Sequence, residues 1–349
     1  VSWFAPAGPS SRRGPESWLG DWSIEAGVDG HHVGLDGPAD QTGTMLGALA
    51  SLVREAHPTA ADLAAGVREH EAASGRRSAA VRAFEQSWEA LWPEAVVRSA
   101  PEVVKAVTGE AVRAWHDAAV SPRGALLVIT GRFDPDATIE QAAAAFGTWK
   151  AGETTVGEVP PPPEDRSRTT LELQEPGLSA AEVELGCVVT GTSWPAALVG
   201  AAAAEAELFR DLREAKGLSY DPHVGVELGP GGVPILWLHA TAQPARTTEV
   251  VAAFDRALGG LRQLDAPALA RARRSAASGM RSEWTSAATA SRALVTTHLA
   301  GAPIGDWWRL PDALAAVDGG MLAAAAERCV GHGVLTLRVP AAAQPGDGG

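Results

Sequence analysis

Four consecutive prolines, Pro160–Pro163, limit how this chain can fold more than any other feature. Each fixes its own φ and carries no amide hydrogen, so the run can enter neither a helix interior nor a central strand. It has to be an extended, semi-rigid polyproline segment. Its setting, Glu158–Arg168 (EVPPPPEDRSR), falls near the middle of 349 residues and reads as a linker. Either half is long enough to bury a core of its own. The expected division is an N-terminal domain over 1–157, the linker over 158–168, a C-terminal domain over 169–340, and a small, Gly-rich, unordered tail over 341–349.

The first half mixes both periodicities. Trp22–Leu35 alternates in patches and supplies one or two strands, whereas Gln41–Glu55 places Met45, Leu46, Leu49, Leu52 and Val53 at helical spacing. Thr59 caps a second helix to about Ser74, a third runs from Ser78 to Trp92 and stops at Pro93, and a fourth fits Pro101–Ala119. Gly124–Thr130, GALLVIT, is a short apolar run bounded by Gly and predicts a buried strand, with a helix following over Asp136–Trp149.

The second half repeats that grammar. Strands are expected at Thr169–Gln174, Ala181–Val189, Tyr220–Leu228 and Val233–Thr241, the last two joined by a Gly-Pro-Gly-Gly turn. Pro195–Lys216 predicts one long helix with proline in its first turn and Gly217 as its left-handed stop. Helices fill Thr247–Cys329, and Gly333–Val339 closes the chain as a strand. The fold class is α+β: two similar layered domains, each an antiparallel-rich sheet packed with helices.

Composition removes several functions. A formal charge of −13 repels phosphate backbones, and no basic stripe with interleaved aromatics appears, so nucleic acid is not an expected partner. No run of about 18 apolar residues exists to cross a membrane. Val1–Gly20 lacks the basic and apolar regions of a secretory signal. The two cysteines, Cys187 and Cys329, lie far apart with no CxxC, so neither a disulfide framework nor a zinc knuckle is expected, and a reducing, cytoplasmic location is the default. Three Lys, one Tyr and no Asn stand against 26 Arg and 12 Trp, which makes the rare residue types worth locating.

Two segments carry more than grammar. Val128–Gly152, VITGRFDPDATIEQAAAAFGTWKAG, is a strand, a Gly-x-Phe-Asp-Pro turn, a helix and Phe-Gly-x-Trp. Leu208–Tyr220, LFRDLREAKGLSY, sets Arg213 seven residues before Tyr220 across a Gly-Leu turn. The turn at Gly217 folds the helix end back on the strand start, so a guanidinium fork and a phenol converge: two good donors for peptide carbonyls or a developing oxyanion. These segments, with REAHPTAADL inside 46–63, resemble the insulinase (pitrilysin) family of metallopeptidases, from about Trp22 to Val339. The resemblance implies half of a clamshell in which Arg213 and Tyr220 grip substrate opposite a zinc ion.

The zinc-binding signature itself is missing. Active relatives carry HxxEH on a helix, two His for zinc and a Glu that activates water. None of His31, His32, His57, His70, His116, His223, His239, His298 or His332 begins HxxEH or its reverse. His31 and His32 with Asp36 are a poor metal set, because adjacent strand residues point to opposite faces. Glu69 and Glu71 sit where the family's downstream zinc Glu would lie, yet without a His pair they read as a solvated helix face. His116 with Asp117, and His223 beside Asp221, read as surface residues. Ala201–Ala204 favours an unbroken helix where relatives often carry a glycine-rich break.

The resemblance therefore implies a chain with no catalytic residue, metal or cofactor of its own. It would supply Arg213 and Tyr220 to a homologous HxxEH subunit that holds zinc, the two closing on a peptide, with leader-peptide removal as one role. The competing expectations are an inert structural or peptide-binding relative, like the core proteins of respiratory complexes, and a stand-alone enzyme with an unrecognised metal site.

Overall fold

In the computed structural model the described residues are 21–27, 30–54, 58–76, 78–95, 104–150, 161–163, 167–282, 284–299 and 304–341. The expected tail beyond Ala341, the first twenty residues and most of the linker lie outside them; Pro161–Pro163 has no regular structure. Two compact units emerge, and they do not follow the linear division. One gathers residues 1–76, 97–159 and 284–295; the other gathers 77–96, 160–283 and 296–349.

The first unit holds an antiparallel hairpin, β1 (Asp21–Gly27) and β2 (Gly30–Asp36), then α1 (Thr42–Arg54) and α2 (Ala60–Arg76). Thr59 and Asp62 cap α2 reciprocally: the Asp62 amide donates to Thr59 Oγ1 at 3.2 Å and the Thr59 amide to Asp62 Oδ2 at 2.8 Å. The second unit takes α3 (Ala79–Leu91), capped by Ser78. α4 (Gly109–Ala119) starts at the Thr108 cap, later than the expected Pro101, of which 101–103 lie outside the described residues. α5 (Pro135–Phe146) follows the Asp134 cap and packs on α1, where Arg54 donates to the Ala145 carbonyl at 3.1 Å.

The strand expected at Gly124–Thr130 is absent: the segment has no ladder among the described residues, and Leu126 and Leu127 are exposed. An apolar run specifies a wish for burial, not a neighbour to pair with. The two domains are accordingly not alike in their sheets among the described residues: two strands in the first unit, five in the second.

That larger sheet has the order β3-β7-β4-β6-β5, built from β3 (Thr169–Glu175), β4 (Ala181–Val188), β5 (His223–Gly229), β6 (Val233–Ala242) and β7 (Val334–Pro340). Only the β3–β7 pair is parallel. The turn between β5 and β6 needs its glycines: Gly231 and Gly232 have φ of 69° and 73°, where a side chain would strain the backbone. Val183, Leu185 and Cys187 of β4 are fully buried, as are Leu236, Leu238 and Ala240 of β6. Packed with the sheet are α6 (Trp194–Leu208), α7 (Thr247–Gly260) and α11 (Gly319–Cys329). Around them lie α8 (Ala266–Ser282) and α10 (Leu310–Ala316), while most of α9 (Ala287–Leu299) belongs to the first unit.

The other alternate positions of the strands meet α3. Leu91, Trp92, Ile235, Trp237 and Val334 form a buried cluster with Phe84 and Trp88 against it. Trp237 lies across the bare backbone of Gly186, its register partner, so closely that a Cβ there would enter the indole. Gly186→Ala is expected to cost about 1–3 kcal/mol of stability through overpacking, read as a lowered urea midpoint with an unchanged m-value. Polar groups complete this face. Ser87 and Thr336 share a 2.6 Å hydrogen bond, and Arg338 donates to Glu175 at 2.6 Å and to Gln86 at 2.7 Å.

One expectation about cysteine is overturned. Cys187, near the end of β4, and Cys329, at the end of α11, form a disulfide with Cα atoms 5.4 Å apart, 142 residues apart in sequence. Tertiary packing of α11 on β4 makes the pair, which no sequence spacing announces.

Candidate functional site

Ser193 starts the helix that carries the site, its hydroxyl accepting from the Ala196 amide at 3.4 Å, with Pro195 in the first turn. The stretch Ala201–Ala204 is unbroken α-helix, as expected. The single helix expected through Lys216 is not: α6 ends at Leu208, and Phe209–Ala215 winds as a π-helix. A π-turn is rare and carries wider i→i+5 geometry, which no propensity scale reveals. The helix stops at Gly217, whose φ of 58° is the left-handed conformation expected of it. The Leu218 amide then donates to the Leu212 carbonyl at 2.7 Å and drives the chain back toward the helix.

This return brings the two expected residues together. The Arg213 guanidinium carbon lies 4.3 Å from the Tyr220 ring centroid and 4.8 Å from that of Phe209. Both contacts fall within cation–π range, each about 0.5–1 kcal/mol at such a site. Arg213 is half-buried, yet among the described residues it has no ion pair and no hydrogen bond. The guanidinium is held against two rings while its N–H donors have no partner among the described residues. Tyr220 is 77% exposed, which leaves the phenol available as a second donor.

Ionic contacts brace the same turn. Asp211 accepts from Lys216 at 2.6 Å and from Arg256 of α7 at 2.6 Å. Burial pushes the Asp211 carboxyl up, but the hydrogen bonds from Arg256 and Lys216 outweigh it, and the group stays below its ordinary range. Beside the turn, His223 Nδ1 lies 2.6 Å from Glu205 Oε1. The hydrogen bond to Glu205 raises the imidazole above its usual value against the opposing effect of burial, and the same bond lowers Glu205. Phe209, Asp211 and Glu205 went unnoticed in the sequence; only the i, i+4 spacing of Phe209 and Arg213 offered a signal.

The other sequence candidates separate. Glu71 pairs with Lys105 at 2.8 Å, and that hydrogen bond lowers its carboxyl. His116 is not a surface residue: it is 5% exposed and its Nε2 lies 2.9 Å from the Val53 carbonyl, while Asp117 is exposed. His32 Nδ1 is buried without a partner, and the side chain of His31 lies outside the described set. Among the described residues no group of three or more His, Cys, Asp or Glu is placed to hold a metal ion. No described helix is long and apolar enough to cross a membrane.

A five-stranded mixed sheet in a helix-rich α+β chain, with the Arg213 turn at its margin, is a fold shared with peptidases. A protease from Helicobacter pylori superposes with a TM-score of 0.76 at 13% identity, over 93% of this chain and 83% of that one. A peptidase M16 inactive domain from Pseudomonas fluorescens gives 0.73 at 15% identity, over 93% and 81%. The periplasmic protease PqqL from Escherichia coli gives 0.70 at 13% identity, over 92% of this chain and 37% of that longer one. No curated protein sequence matches. In sequence, residues 106–275 match the family described as the peptidase M16 inactive domain, a span that contains Arg213 and Tyr220.

Proposed function

We propose that this chain is a non-catalytic M16 protein, the substrate-binding subunit of a two-subunit zinc metallopeptidase. Its partner is a homologous chain that carries HxxEH and the zinc ion. The observation that carries the reading is Arg213, in contact with the rings of Phe209 and Tyr220 and free of any counter-ion among the described residues. A half-buried guanidinium without an anion is a recognition group awaiting a ligand, and fixed donors lose little entropy on binding. Its ligand is the backbone of a short or unfolded peptide, with leader-peptide removal as one role. A cytoplasmic location sits poorly with the buried disulfide, which favours an oxidising compartment.

The test is co-purification with the product of a neighbouring gene that encodes HxxEH, followed by peptide cleavage assays on each chain alone and on the mixture. Cleavage is expected only in the mixture. Arg213→Ala or Tyr220→Phe should lower turnover about 100–1000-fold with assembly intact, the range for one lost transition-state donor. Chelator-sensitive cleavage by this chain alone would overturn the proposal. Unchanged turnover in both variants would leave an inert structural or peptide-binding relative as the better reading.

A further inference from the structure

The basic side chains of this acidic protein are not spread evenly. α8 (APALARARRSAASGMRS) carries four arginines and no carboxylate across 17 residues, in a chain with 42 acidic and 29 basic side chains. Arg273 is spent on the Val317 carbonyl, to which its Nε donates at 2.8 Å. Arg271, Arg274 and Arg281 are exposed, and among the described residues none has an ion pair or hydrogen bond. Several cations elsewhere on the same unit are paired: Arg246 with Glu249, Arg210 with Glu207, Arg256 and Lys216 with Asp211, Arg168 with Asp255.

Positions 271, 274 and 281 follow i, i+3, i+10 spacing and share one ridge of the helix, spread over about 15 Å of its axis. Like charges one turn apart on a helix repel each other and gain it nothing. A helix that keeps them uncompensated, amid abundant carboxylates, is suited to an external anion. We propose that the Arg271–Arg274–Arg281 ridge of α8 is a docking surface for a short, carboxylate-rich polypeptide segment.

The flanking chemistry selects that occupant. Ser275 and Ser278 are exposed between the arginines, so the ridge has hydrogen-bond donors, and α8 itself holds no aromatic residue. Interfacial membrane helices need bulky apolar residues, and single-strand binding needs stacking rings. A long polyanion would also meet the −13 net charge of the rest of the chain, whereas a short acidic segment meets only the ridge. Guanidinium forks take carboxylates in bidentate pairs.

The experiment uses the full chain and a fluorescein-labelled dodecaglutamate peptide, with anisotropy read at low salt and again at 0.3 M NaCl. Binding is expected to weaken steeply with salt. The triple variant Arg271→Gln/Arg274→Gln/Arg281→Gln should weaken it at least tenfold with an unchanged circular dichroism spectrum and melting temperature. Arg132→Gln, an exposed cation in the other unit, should leave it unchanged. No binding by the native chain overturns the proposal, as does equal binding by the triple variant. Tighter binding to phosphatidylserine vesicles or to single-stranded DNA than to dodecaglutamate overturns it in favour of a lipid or nucleic-acid surface. The outcome is independent of Arg213 and Tyr220, so it fails or holds separately from the peptidase reading.

Discussion

Replacing both cysteines, as Cys187→Ala/Cys329→Ala, is expected to lower the unfolding free energy of the larger unit by as much as about 5 kcal/mol. That is the entropy a cross-link spanning 142 residues removes from the unfolded chain. The bridge ties the sheet's central strand β4 to the last turn of α11, so its loss frees the C-terminal strand to leave with the helix. Both sulfur-bearing residues are fully buried, which adds a second expectation. Reductant should act slowly on the native protein and quickly once denaturant opens it, since thiolate attack needs access. The measurement is urea unfolding with and without dithiothreitol, beside a thiol titration of the native protein. Coincident midpoints, or two titratable thiols in protein prepared under oxidising conditions, would sink the idea.

The second large effect concerns Glu184. It lies on β4 opposite His239 and Thr336 and beneath α3, with 3% of its surface exposed and Oε1 without a partner. Burial pushes its carboxyl up to about 8; a hydrogen bond from Ser87 opposes this, and Glu227 and Glu182 add to it. Trp88 donates to Glu227 at 3.0 Å and His239 lies 2.7 Å from Glu182, so the surrounding charges are themselves engaged. Because the folded value exceeds the unfolded value near 4.5, the stabilisation from neutral Glu184 is full below about 4.5. It fades as pH climbs through about 8. The native protein should therefore lose stability between pH 5 and 9, and Glu184→Gln should flatten that slope. At pH 9 the variant should be the more stable by an amount on the order of a few kcal/mol. Glu227 is also raised by burial, so a residual slope is expected in the variant. Identical melting-temperature profiles for the two proteins from pH 5 to 9 would refute the assignment.

Much of the C-terminal sheet was legible because its signals are local. Gly217, the Gly-Pro-Gly-Gly turn and the alternation of β6 each state a backbone conformation within a few residues. The meeting of Arg213 and Tyr220 was legible for the same reason: seven residues and one left-handed glycine bring them together. What stayed hidden depends on partners distant in sequence. Cys187 and Cys329 meet only when α11 packs on β4. Gly124–Thr130 reads as a strand by composition, yet a strand exists only where a neighbour offers its ladder. The π-turn at Phe209–Ala215 is built from good α-formers, and its wider winding is a choice of tertiary context.

The unit boundaries bear on how this protein can be cut. Residues 77–96, which include α3, precede the polyproline run but pack with the sheet that follows it, and residues 284–295 are assigned the opposite way. A fragment starting at the prolines would bare Ile235, Trp237 and Val334 to water and leave Ser87's partner Thr336 unpaired. The gene therefore has no clean joint at its most conspicuous punctuation. The smallest portable piece of the larger unit joins three stretches, 77–96, 160–283 and 296–349, so a cut at the proline run severs the first of them from the sheet it covers.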